Sequence, residues 1–206
     1  TIGYKEGLAV ALLRRANIVV MEQKFDSALT LLDRGIRQYP DTKALPDYYV
    51  AQGNIYRTLG NCEEATNAFE NGLENRGFVP EKTREEFVAG VYMNIGGCLE
   101  ILGDYAGAIE KHLAALEFAQ TNADTSLMAL TQMNIGNVYD EQQEVEKAAY
   151  YYENAIENAR SINMARLLPG LYNNLALIRE QEERYEVAEG LYKDALKSSP
   201  GDVERG

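Results

Sequence analysis

The sequence predicts an all-α solenoid of five helix pairs, and three series of small residues predict it. The first series is Ala16, Gly53, Gly96, Gly136 and Ala176. The second is Ala28, Ala65, Ala108, Ala148 and Ala188, and the third is Gly35, Gly72, Ala115, Ala155 and Ala195. All three advance by 37, 43, 40 and 40 residues. Such lockstep is the signature of stacked supersecondary units, each burying its apolar face only against its neighbours. The copy at 93–117, MNIGGCLEILGDYAGAIEKHLAALE, shows it most plainly.

The pairs follow in order. Residues 4–22 form the first helix, with Leu8, Leu12, Ala16 and Val19 on one face. After a turn at Gln23-Lys24, a second helix begins near Phe25, carries Ala28, Leu32, Gly35 and Ile36 inward, and stops at Pro40. Leu45-Pro46-Asp47 opens the second pair with proline in the first turn, and Leu59-Gly60-Asn61 turns it through a glycine suited to a left-handed cap. Arg76 to Pro80 is the longest connection and accounts for the 43-residue step. The third pair runs from Glu81 to Leu102 and, past Gly103-Asp104, through Tyr105, Ala108, His112 and Ala115. Thr121 to Thr125 supplies caps for the fourth pair, whose turn Gln142-Gln143-Glu144 lacks a glycine and reads as a continuous tight bend. The fifth pair starts around Pro169 and closes at Pro200-Gly201. The repeats thus span about 6–40, 46–79, 82–120, 124–161 and 164–200 of a single domain. The chain opens on Thr1, not Met, and no polar capping helix follows the last pair, so a longer parent chain is expected. The open last repeat is also a place for self-association.

Composition narrows the function. Twenty basic against 32 acidic residues give a net charge of −12, which argues against nucleic acid and anionic membranes as partners. No apolar run reaches the roughly 20 residues of a membrane span. Cys62 and Cys98 fall inside helical patterns of different repeats and read as buried thiols, which points to a cytoplasmic setting. No Cys/His cluster has metal-ligand spacing and the glycines are periodic, not clustered, so no metal, cofactor or phosphate loop is expected. The one histidine, His112, stands where other repeats place a packed aromatic, so a core role is expected and catalysis is not. Of the run Tyr150-Tyr151-Tyr152, which fans through about 200° of helix, only Tyr152 takes the inner position.

Taken together, Gly96, Gly103, Tyr105, Ala108 and Ala115, the set Tyr172, Ala176, Tyr185, Ala188, Tyr192, Ala195 and Pro200, and the set Ala16, Phe25, Ala28, Gly35 and Pro40 resemble the tetratricopeptide repeat. This chain departs from that pattern in stepping by about 40 residues where the repeat has 34, as in its longer-helix members. The resemblance implies a right-handed superhelix whose first helices line a concave groove. Two residues before each first small position it places Arg14, Ala51, Asn94, Asn134 and Asn174 in that groove. One residue after come Asn17, Asn54, Gly97, Asn137 and Leu177, and four after come Val20, Arg57, Glu100, Asp140 and Glu180, with Glu141 beside Asp140. An amide side chain donates and accepts, so an asparagine ladder suits the backbone of an extended peptide of any sequence. The charges run from Arg14 and Arg57 to later carboxylates, which suits a protein or peptide partner of basic character near repeats three to five. The lysines by which some members grip a terminal carboxylate are replaced by Leu13 and Gly90, so that ligand is not carried over. A non-enzymatic protein-interaction scaffold is the expected function. The alternative is a ligand- or peptide-sensing module of a bacterial transcription regulator or sensor kinase.

Overall fold

A computed structural model describes residues 2–198, which leaves the expected closure at Pro200-Gly201 outside the described residues. The described residues are helical throughout apart from turns and short connections, with no strand among them. The chain forms two compact units, one through Lys111 and one from His112 onward.

The first unit contains α1 (Ile2–Met21), α2 (Phe25–Gln38), α3 (Leu45–Thr58), α4 (Cys62–Glu74), a 3-10 turn at Arg76–Phe78, and α5 (Glu81–Ile101). Helix α6 (Tyr105–Thr121) carries the boundary. The second unit continues with α7 (Thr125–Glu141), α8 (Val145–Ser161), α9 (Leu168–Gln181) and α10 (Tyr185–Ser198). These helices fall where the repeat spacing puts them, ending within two residues of the expected limits in the first and third pairs.

One corner joins the two helices of every pair. Its hinge is a residue in the left-handed region: Gln23, Gly60, Gly103, Gln143 and Glu183, with φ of 58°, 80°, 79°, 61° and 60°. The next N–H reaches back to the carbonyl five residues earlier, as in Glu144 N–H to Tyr139 O at 2.9 Å and Arg184 N–H to Arg179 O at 2.8 Å. The hinge N–H bonds three residues back, as from Gln143 to Asp140 at 2.8 Å. This pair of bonds is the Schellman cap, which satisfies the last carbonyls of a helix. Gln142-Gln143-Glu144 is therefore the same corner as Gly103-Asp104 and not a continuous bend. Its geometry does not require glycine, although glycine adopts it with least strain.

Within the first unit, Ala16, Ala28, Leu32 and Tyr48 belong to one buried cluster, and Cys62, Ala65, Phe69, Val91, Ile95 and Cys98 to another. The Tyr48 hydroxyl donates to Ala9 O at 2.7 Å, tying α3 to α1, and Gln52 Nε2 donates to Asp33 Oδ1 at 2.6 Å, tying α3 to α2. In the second unit the core gathers Ala148, Tyr152, Ala155, Leu171 and Ile178. The small series mark where helices meet large rings: a Cβ on Gly53 would lie 2.5 Å from the Phe69 ring, and one on Gly35 would lie 2.0 Å from the Tyr48 ring. His112 is fully buried, and Cys62 and Cys98 are buried and unpaired. Burial, then the neighbouring Cys62 thiol, pushes the Cys98 thiol up to about 11, far from the reactive thiolate. In the tyrosine run Tyr152 is buried, Tyr151 stacks on Tyr139 at 5.6 Å, and Tyr150 is exposed.

Candidate functional site

In the first unit, α1, α3 and α5 pack side by side as the first helices of consecutive pairs. Two cavities lie along them. One, about 530 Å³, sits between α1 and α3 with Asn17 and Asn54 on its wall and Leu13, Val20 and Ile55 as apolar lining. The other, about 520 Å³, sits between α3 and α5 with Asn94, Lys43, Thr83 and Glu86 around a floor of Val50, Val79, Phe87 and Val91. Both cavities share Asp47 and Val50, so α3 is their common wall. Asn17 is exposed, and Asn54 and Asn94 are half-buried.

Asp47 stands in the first turn of α3, where the helix N-terminus favours a carboxylate. The residue is exposed overall, and the partial burial of its carboxyl pushes its pKa above the ordinary aspartate value. It makes no hydrogen bond or ion pair with the described residues. The groove positions read from the sequence omit it, although its place was legible. Asp47 lies six residues before Gly53, where Gly90 lies before Gly96.

The remaining expected site residues divide by their surroundings. Arg57 is exposed, Glu100 is half-buried on α5, and neither lines either of these two cavities. Arg14 lines neither of these two cavities but a third, with Gly7, Val10, Ala11 and Ile18 of α1. In the second unit, Asn137 Oδ1 accepts two hydrogen bonds, from the Tyr152 hydroxyl at 2.9 Å and from Asn174 Nδ2 at 3.3 Å. These two asparagines therefore link α7, α8 and α9. Asn134 lies half-buried one turn earlier on α7. Asp140 is half-buried, its carboxyl pushed up by burial and then by Glu141, while the exposed Glu180 accepts from the Tyr192 hydroxyl at 3.0 Å.

Both ring nitrogens of His112 lack a partner, and burial drives its pKa down to about 4, so the ring is neutral near pH 7. Among the described residues no three His, Cys, Asp or Glu side chains could hold a metal ion together, and no helix is long and apolar enough to cross a membrane.

Helix pairs closed by a recurring cap, with small residues under large rings, define a helical repeat protein. Sequence profiles described as tetratricopeptide repeat match residues 46–76, 87–161 and 133–203. The chain belongs to the tetratricopeptide-repeat family. Tetratricopeptide repeat protein 19, mitochondrial, from Mus musculus is 26% identical over 199 residues, covering 89% of this chain and 54% of the mouse protein. The chain thus spans about half the length of that relative. Response regulator aspartate phosphatase E of Bacillus subtilis (strain 168) is 30% identical over 107 residues, 51% of this chain and 28% of that protein. The crystal structure of aspartyl phosphate phosphatase F from Bacillus subtilis superposes with a TM-score of 0.83 at 17% identity, covering 93% of this chain and 51% of that one. That likeness shows the same helical fold.

Proposed function

We propose that the chain is a non-enzymatic protein-interaction scaffold that takes an extended segment of another protein along α1, α3 and α5. The observation that carries this reading is the pair of cavities joined through Asp47 and Val50, with Asn17 and Asn54 on one side and Asn94 on the other. Three amides on separate helices offer donors and acceptors to a peptide backbone, and the apolar linings offer area to alternate side chains. Asn137 and Asn174 already bond within the second unit, which favours the first unit as the binding surface. The two free thiols fit a reducing compartment, a cytoplasmic one in the reading from composition, while the mouse relative is described as mitochondrial.

The test compares the intact chain with an Asn17→Ala, Asn54→Ala, Asn94→Ala triple variant against peptides selected on the wild-type protein. Binding lost in the variant, with the helical circular dichroism unchanged, supports the trough. Equal binding to both proteins removes it.

The match to a response regulator aspartate phosphatase favours a second reading, a regulatory module of a bacterial signalling protein. Incubating the chain with a receiver domain phosphorylated on aspartate separates the two. Phosphoryl release accelerated in proportion to the added chain would replace the scaffold reading, and an unchanged lifetime would sustain it.

A further inference from the structure

We infer that Asp47 is the anchor for a lysine or arginine side chain at the centre of the bound peptide, so that the trough selects cationic segments. This rests on the trough reading above and adds to it the chemistry of the ligand.

Asp47 stands on the wall common to both cavities, so a segment passing from one to the other crosses it. Packed helices lie about 8–10 Å apart, and an extended chain advances about 3.3 Å per residue, so each helix takes about three residues to cross. A ligand of about seven residues therefore reaches both cavities, with its middle residue at Asp47. The asparagines to either side hold its backbone, and Val50, shared with Asp47, offers an apolar bed for the stem of a long cationic side chain.

The electrostatics point the same way. Asp47 is exposed on that shared wall and makes no ion pair with the described residues, so its carboxylate is open to an incoming cation. Glu86 lines the same cavity and adds a second carboxylate. Lys43, the basic residue lining that cavity, makes no ion pair with either carboxylate among the described residues, and the two carboxylates outnumber it. An acidic segment would meet Asp47 and Glu86 without compensation, and a neutral one would gain nothing from them.

A displayed library of random heptapeptides, selected in parallel on the intact wild-type chain, on Asp47→Asn and on Asp47→Lys, tests the inference. Wild-type protein is expected to enrich heptapeptides with one fixed Lys or Arg near the centre. The affinity of such a peptide should fall about three- to fivefold on Asp47→Asn, while Asp47→Lys should select Asp or Glu at that place. Unchanged thermal midpoints confirm that both variants are folded. Enriched peptides with no fixed basic residue, or with equal affinity for Asp47→Asn but lost on the triple asparagine variant, overturn the anchor and leave the trough. If no peptide is enriched, or if the peptides ignore the asparagine variant as well, the trough itself is wrong and the anchor falls with it.

Discussion

Gly136 on α7 lies so close under the ring of Tyr152 on α8 that a methyl group on the glycine would stand 2.7 Å from both Cδ1 and Cε1. The ring has little freedom to move aside, because Tyr152 is buried and its hydroxyl donates to Asn137 one residue past the glycine. Gly136→Ala should therefore destabilise the chain by about 1–3 kcal/mol through overpacking. Tyr152→Leu should lessen the added cost of the alanine, since the two positions share one space and couple. Urea unfolding of the two single variants and the double variant checks this. Strict additivity would show that the contact is not the cause.

Asn137 and Asn94 look alike in the repeat pattern and differ in what surrounds them. Asn137 supplies the acceptor for two side chains on other helices, whereas Asn94 lines an open cavity. Asn137→Ala should cost about 1–3 kcal/mol, because the Tyr152 and Asn174 donors lose their shared acceptor. Asn94→Ala should stay within about 0.5 kcal/mol of wild type. Chemical denaturation of each variant measures both, and equal losses would break the distinction between structural and open amides.

That contrast shows how far the sequence could be read. The fold was legible because each junction between helices admits only a small residue, and junctions recur with the repeat. Gly53 and Gly136 are small for one reason, the ring of Phe69 or Tyr152 above them. Availability of a groove amide carries no such mark. It depends on the residue opposite on another helix, 15 positions away for Tyr152 and 37 for Asn174. Asp47 escaped notice differently: its place could be read from the repeat, but the consequence of two cavities meeting there is a tertiary fact.

The corners offer a gain in stability. Gln143 and Glu183 hold φ near 60° where Gly60 and Gly103 hold about 80° in the same capping bonds. A side chain in that region costs roughly 1–2 kcal/mol from the clash of Cβ with the following carbonyl. Glycine forfeits part of the gain through the greater freedom of its unfolded chain. Gln143→Gly should accordingly stabilise the protein by about 0.5–1 kcal/mol, and Gly103→Ala should destabilise it. Thermal melts of the two variants decide: a lowered midpoint for Gln143→Gly would mean that its side chain contributes more than the backbone strain removes.

His112 sets the acid limit of the fold. It is fully buried, neither ring nitrogen has a partner, and burial holds its folded-state pKa at about 4 against an ordinary 6.5. Above pH 6.5 the imidazole is neutral in both folded and unfolded chains, so it adds no pH dependence. Between pH 6.5 and 4 the unfolded chain takes up a proton that the folded one refuses, and stability falls by about 1.4 kcal/mol per pH unit. The loss amounts to about 3 kcal/mol at pH 4, on top of whatever the carboxylates contribute. Other repeats place Phe69 and Tyr152 at the matching position, so His112→Phe fits the pattern and removes both unpartnered nitrogens. The variant should be at least as stable as wild type at pH 7.5, and it should lose less stability on acidification to pH 5. Urea midpoints for both proteins at the two pH values isolate the histidine, because the carboxylates are common to both. Parallel losses would place the acid sensitivity elsewhere, and a variant less stable at pH 7.5 would show that the cavity around His112 is shaped to the imidazole.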